Sequence, residues 1–237
     1  MANSLCYSVE AEVPLWNERC RTMSAQDVLS WAAEEWGQWM VLSCSFSGPA
    51  GMVLLDMLST IAPATPVFYI DTGVLFPETH QLIDTIRERY PLEVRGVQPR
   101  LSLAEQAVAE GEALWHRDPQ RCCQIRKVLP LAEALTAYDA WITGLRRDGA
   151  STRKATQVVE WSKKYNLVKL NPLADWTERD VWSYIHKHNV PYNSLLDQGY
   201  RSIGCHTCTQ LPTGDDPRSG RWVGFNKTEC GLHVEPA

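Results

Sequence analysis

Short apolar runs rich in β-branched and aromatic residues alternate along most of this chain with stretches of helical spacing, and that alternation restricts the fold more than any other feature. "QWMVLSCSF", "TPVFYI", "LEVRGV" and "DAWITG" read as strands, with "LVKLNPL" as a fifth. Between them, "GMVLLDMLSTI", the amphipathic "PETHQLIDTIRERY" opening on Pro77, "SLAEQAVAEG" and "CCQIRKVLPLAEALTAY", bent or broken near Pro130, read as helices. "SAQD", from Ser24 to Asp27, has the form of a capping box for a helix reaching about Trp36, and "TERDVWSYIHKH" is a second capped helix. Residues 1–23 read as an extended arm, and the chain after Pro191 as loop-rich. Strand–helix alternation predicts an α/β fold: a mostly parallel sheet with helices on both faces, whose ligands sit beyond the C-terminal strand ends.

The 237 residues, 44% of them hydrophobic, are enough for a full core, and a net charge of −5 argues against non-specific nucleic-acid binding. The opening residues carry Glu10, Glu12 and Glu18 and show neither a basic n-region nor an apolar h-region. The longest apolar run, "GMVLLDML", is interrupted by Asp56 and too short to span a bilayer. The expectation is a cytoplasmic protein with no membrane and no nucleic-acid partner. It divides into an arm (1–23), an α/β domain (24–215) and a mobile C-terminal tail (216–237).

Three loops fall at the predicted strand ends. "SFSGPAG" joins a strand to a helix, so backbone N–H groups and a helix N-terminus converge there, an arrangement suited to phosphate. It lacks the Gly-Lys-Ser/Thr of a Walker loop and is not a Rossmann fingerprint. "DTG", Asp71 to Gly73, can hydrogen-bond a base or ribose, although Asp71 equally suits a turn cap. "TGLRRDG" and "DPRSGRW" supply Arg146, Arg147, Arg218 and Arg221, whose guanidinium forks match phosphate and sulfate oxygens.

Cysteine carries the sharpest signal. Cys205-x-x-Cys208 is a turn that lets two sulfurs bind one metal or cluster, and Cys122 and Cys123 offer two more thiolates, with Arg126 and Lys127 a turn later. Adjacent helical residues point about 100° apart, so a shared ligand role at 122–123 demands a helix start or a kink. Structural zinc normally spaces each cysteine pair by two to four residues. A redox disulfide at Cys205/Cys208 or two buried pairs remain alternatives. Cys6, Cys20 and Cys44 read as small apolar residues. Cys230 stands apart: it lies beside Gly231 near the chain end, with Lys227 and His233 at hand to favour its thiolate.

Together "CCQIRKVLPL", "TGLRRD", "NPLADWTERDVW", "VPYNSLLDQGYRSIGCHTCT" and "KTECGLH" resemble the assimilatory adenylylsulfate (APS) reductases, of the iron–sulfur, thioredoxin-dependent type. The resemblance implies an adenine-nucleotide α-hydrolase (PP-loop) fold and a [4Fe–4S] cluster on Cys122, Cys123, Cys205 and Cys208. It implies adenosine on Ser45, Ser47, Gly48, Asp71, Thr72 and Gly73, and Lys127, Arg146, Arg147, Arg218 and Arg221 around the phosphosulfate. Cys230 becomes the nucleophile that takes the sulfonate, AMP leaves, and thioredoxin or a glutaredoxin-like donor releases sulfite. Homo-oligomerisation is left open. The chain departs from the family's usual S-G-A-E-D by reading "SGPAG", and carries Gly149 and Thr207 where Gln and Pro are usual. The competing readings are a 3′-phospho-APS (PAPS) reductase, a zinc or iron–sulfur binding module without reductase activity, and an ATP pyrophosphatase, whose S-G-G-x-D-S loop is absent.

Overall fold

The computed structural model describes residues 3–233, with side chains from residue 9 onward. Six strands form one sheet: β1 (Met40–Ser43), β2 (Val67–Ile70), β3 (Val94–Val97), β4 (Ala140–Ile142), β5 (Val159–Ser162) and β6 (Leu167–Leu170), in the order β3-β2-β1-β4-β6-β5. All neighbours are parallel except β5, which pairs antiparallel with β6 at the edge. Alternate residues serve opposite faces, as a pleat requires. Met40 and Leu42 enter the larger core, whereas Val41 joins Phe68, Trp141 and Leu167 in a second core across the sheet.

The helices are α1 (Asn3–Cys20), α2 (Ala25–Trp36), α3 (Pro49–Ile61), α4 (Pro77–Arg89), α5 (Leu103–Glu110), α6 (Leu114–Arg117), α7 (Pro119–Cys123), α8 (Leu129–Leu135) and α9 (Glu178–His188). Their starts follow the sequence chemistry. Ser24, Ser102 and Thr177 close capping boxes with Asp27, Glu105 and Asp180, and Pro49, Pro77 and Pro119 occupy first turns where a missing N–H costs nothing.

Three features differ from expectation. The segment read as an extended arm is α1, which covers the edge strand: Asn17 Oδ1 accepts from the Val159 N–H at 3.1 Å and Asn17 Nδ2 donates to Gln157 at 3.1 Å. Its apolar periodicity is weak and Pro14 lies inside it, so tertiary contact with β5 specifies the helix. β5 itself was not anticipated; it is short, and its pairing depends on β6. The helix break expected near Pro130 falls earlier, as a π-helical turn over Gln124–Val128.

From β1 the chain steps outward to β2 and β3, then returns to place β4 on the other side of β1. The crevice beyond β1 and β4 is the topological switch point of the sheet, where ligands of such folds bind. At its floor the backbones are close: a Cβ on Gly144 would stand 3.2 Å from the Gly51 nitrogen.

Candidate nucleotide and thiol site

The loop after β1 is held in an uncommon conformation. Phe46 has φ 52° and is fully buried, its ring edge-on to Tyr69 at 5.7 Å. Asn193, also buried, donates through Nδ2 to the Phe46 carbonyl and to Thr79 Oγ1, both at 3.0 Å. Ser47 Oγ donates to the Ser45 carbonyl at 3.0 Å. No side chain caps α3 at Gly48, so the amides of its first turn stay open to an anion. The unusual "SGPAG" has a local cause: Pro49 opens α3, and a Cβ on Gly51 would stand 2.9 Å from Cys44 Sγ.

This loop borders a cavity of about 330 Å³ that also meets Thr72, Lys127, Arg146, Arg218, Arg221 and Cys230. Ser45, Ser47, Gly48 and these six residues were all expected at the site. Asp71, Gly73 and Arg147 were expected there too but do not line the cavity. Asp71 Oδ1 accepts from the Gly73 N–H at 3.0 Å and closes a turn in which Gly73 has φ 73°. Arg147 turns away to pair with Asp175 and to donate to the Thr156 carbonyl at 2.7 Å. Arg153 and Arg201 line the cavity and were missed; Arg201 lies within the quoted "VPYNSLLDQGYRSIGCHTCT" and Arg153 in a loop without a motif, and since neither carries a signal of its own, only the fold brings them in.

Two guanidinium groups are incompletely satisfied. Arg146 reaches Asp148 at 3.3 Å through Nη2, but its Nη1 is buried without a partner. Arg221 donates to Ser202 Oγ at 3.2 Å and the Ile203 carbonyl at 3.1 Å and lies over Trp222 at 4.4 Å, yet its Nε is buried and unpaired. Buried charged donors without acceptors are costly, and an anion in the cavity supplies acceptors.

The C-terminal tail docks against this site. Glu229 accepts from Arg153 at 3.0 and 3.1 Å and from Arg218 at 3.3 Å. Lys164 donates to the Gly231 carbonyl at 2.5 Å and Tyr165 to that of Leu232 at 2.9 Å. His233 stacks on Trp141, 5.0 Å between centroids. These contacts leave Cys230 half-buried in the cavity wall. Burial, then the charges of Lys169, Arg153 and Lys164, hold the His233 imidazole well below its ordinary 6.5, so it is neutral.

Beside the cavity, four thiols share one neighbourhood. Cys122 and Cys123 end α7, just before the π turn, which supplies the kink that neighbouring ligands demand. Cys205 and Cys208 bound a short turn, and Thr72 Oγ1 lies 3.4 Å from Cys205 Sγ. Burial pushes the Cys122 thiol up to about 12, with the negative charges of Cys123, Cys205 and Cys208 adding to the rise. Burial lowers the Lys127 ammonium, but Cys205, Cys230 and Cys123 more than offset it, so its pKa is raised and it stays charged. Among the described residues, no three Cys, His, Asp or Glu side chains are drawn round one point as a single ion requires. Four buried or half-buried thiols with Arg126 and Lys127 beside them match the donor chemistry of a thiolate-ligated cluster. Cys20 and Cys44 are set apart: burial raises them to about 11 and about 12, as expected of packing residues. The Cys6 side chain lies outside the described residues.

Comparison with known proteins gives this geometry a context. The model of the phosphoadenosine phosphosulfate reductase domain matches residues 40–211. The "adenosine 5′-phosphosulfate reductase" of Geobacillus kaustophilus is 47% identical over 95% of this chain and 96% of its own. The "adenosine 5′-phosphosulfate reductase 2" of Bacillus subtilis is 50% identical over 88% and 89%. The crystal structure of a phosphoadenylyl-sulfate reductase from Candida auris, a phosphate complex, superposes with TM-score 0.73 at 31% identity, covering 85% of this chain and 97% of that one. An FMN adenylyltransferase from Candida glabrata shares the fold alone, at TM-score 0.56 and 17% identity over 86% of this chain and 69% of its own.

Proposed function

The chain belongs to the phosphoadenosine phosphosulfate reductase family, and from that premise we propose that it reduces adenylylsulfate to sulfite and AMP, with Cys230 as the nucleophile. One observation carries the reading. Cys230 faces the same cavity as the Ser45–Gly48 loop and the unpaired guanidinium donors of Arg146 and Arg221.

The adenosine lies along the loops after β1 and β2, and its phosphosulfate meets Lys127, Arg146, Arg218 and Arg221. Cys230 Sγ attacks the sulfur as thiolate. An S–S bond forms, the bridging S–O bond breaks, and AMP departs with the electron pair. The cations offset the charge gathering on the leaving phosphate. One thiolate of a dithiol protein of the thioredoxin class then attacks Cys230 Sγ, the bond to the sulfonate breaks and sulfite leaves with its electron pair; the donor's second thiol resolves the mixed disulfide, which oxidises the dithiol and returns the Cys230 thiolate. Cys122, Cys123, Cys205 and Cys208 would hold a [4Fe–4S] cluster, whose contribution is electrostatic and structural. Thr72, which lines the cavity and contacts Cys205 Sγ, joins that region to the nucleotide site. APS rather than its 3′-phosphorylated form is the substrate, in keeping with the relatives' names and with the lack of any Lys or Arg from Thr22 to Ile86.

Protein incubated with APS and no reductant is expected to gain one SO₃ group on the Cys230 peptide, and Cys230→Ser to lose sulfite formation while keeping its iron. An adduct on Cys44 instead would overturn the assignment. Cys122→Ser is expected to lose iron and activity together; full iron with full activity would remove the four-cysteine site.

A further inference from the structure

Cys230 borders a second cavity. This one, about 440 Å³, is lined by Gln120, Gln124, Val128, Lys164, Lys227 and their neighbours in the tail. The two cavities share Glu229 and Cys230 and no other described residue. The Glu229 carboxylate is held by Arg153 and Arg218. Cys230 is therefore the reactive side chain that both spaces reach.

We propose that the second cavity gives the enzyme a further reductant beside the dithiol protein: it is the entry site for a small anionic thiol, which attacks Cys230 while the tail remains docked; the inference rests on Cys230 carrying the sulfonate. Exchange at a sulfur is an in-line displacement, so the attacking thiolate and the departing group occupy different sides of Sγ. The sulfonate arrives from the nucleotide cavity, where arginines hold its oxygens, which leaves the other cavity to the attacker. The volume lies within the roughly 300–1,000 Å³ typical of small-molecule sites. Its charge is selective. Lys227 reaches Gln120 across it, Lys164 fixes the Gly231 carbonyl on its wall, and Glu229, the one carboxylate among its described lining residues, is already paired with Arg153 and Arg218. A thiolate, or a thiol carrying a sulfonate or carboxylate, is favoured there over a neutral or cationic one.

The chemistry balances. The thiolate R–S⁻ forms a bond to Cys230 Sγ, the Cys230–SO₃⁻ bond breaks, and sulfite leaves with the electron pair. A second R–S⁻ then attacks the mixed disulfide, giving R–S–S–R and the Cys230 thiolate. Two thiols are oxidised for each sulfonate reduced to sulfite.

The test starts from protein fully S-sulfonated on Cys230 by APS and freed of nucleotide, with the adduct counted by peptide mass. Sulfite release is timed with mercaptoethanesulfonate, mercaptoethanol and cysteamine. Each rate is divided by that of the same thiol on an S-sulfocysteine peptide. The anionic thiol is expected to exceed the cationic one by roughly tenfold after this correction. Lys227→Gln, sulfonated to the same extent, is expected to lose most of the difference. Equal or faster release by cysteamine from a fully formed adduct would overturn the entry site and leave the nucleophile assignment standing. Failure to form the adduct would overturn both.

Discussion

Gly204 shows how one atom governs the position of a cavity-lining guanidinium. A Cβ there would stand 2.1 Å from Arg221 Nη2 and 2.6 Å from its Cζ. Gly204→Ala must therefore push the guanidinium off Ser202 and Ile203 and away from the cavity. The expected result is a loss of kcat/KM for APS of about tenfold or more, the equivalent of one charged hydrogen bond at ~1.5–3 kcal/mol. Steady-state kinetics beside a thermal melt checks it, the melt falling as well because the buried Arg221 gives up its bonds to Ser202 and Ile203. His233 sets a pH dependence on tail docking. Its folded-state pKa is depressed, by burial first and then by Lys169, Arg153 and Lys164. A histidine depressed in this way stabilises docking fully above its ordinary 6.5, and the contribution fades as pH falls below that value. Limited proteolysis of the tail is expected to accelerate between neutral pH and about pH 5.5, relative to a His233→Gln control whose profile is flatter.

Among the secondary-structure elements, α3 carries both the uncapped first turn at the cavity and a tie that orients it. Asp56 on α3 accepts from Tyr90 OH, just past α4, at 2.8 Å and from Tyr184 OH on α9, also at 2.8 Å. One carboxylate, midway along α3, thus fastens three helices two turns from the end that meets the cavity. Burial, followed by the bonded Asp56 charge, raises both phenols well above their ordinary range, so both stay protonated and donate. Asp56→Ala is expected to cost roughly 1–3 kcal/mol in urea unfolding, because it leaves the hydroxyls of buried Tyr90 and half-buried Tyr184 without their acceptor. Tyr90→Phe combined with Tyr184→Phe removes the donors as well and is expected to recover part of the loss when added to Asp56→Ala. No recovery would show that the carboxylate acts through something other than these two bonds.

For the whole molecule, the distribution of charge bears on the proposed preference for APS over its 3′-phosphorylated form. The stretch from Thr22 to Ile86 spans both loops assigned to adenosine and contains no Lys or Arg. The cavity's cations come instead from the later chain: Lys127, Arg146, Arg153, Arg201, Arg218 and Arg221. A 3′-phosphate on the ribose brings roughly −1.5 to −2 of charge near neutral pH, by analogy with a phosphorylated side chain. Placed beside the first half of the sheet, it meets no cation from those loops. kcat/KM for APS is expected to exceed that for its 3′-phosphorylated form by tenfold or more, ~1.4 kcal/mol of transition-state binding. Equal values with the same reductant would move the selectivity to the later arginines.

What the sequence by itself determined is local or periodic. The apolar period placed β1 to β4, β6 and the helices that follow them. Ser24, Ser102 and Thr177 announced their caps through a residue three positions on, and cysteine spacing picked out the four grouped thiols and the lone Cys230. What only the tertiary structure decided depends on partners distant in the chain. α1 and β5 specify each other across about 140 residues, through Asn17 and Val159, with little helical or strand signal in either. Arg146 and Arg147 are neighbours of one type, yet one lines the cavity and the other pairs with Asp175, because backbone direction divides adjacent side chains. Arg153 enters the site because Glu229 of the docked tail meets it there. Propensity and spacing act over a few residues, whereas the aim of a charge is fixed by whatever the folded chain sets against it.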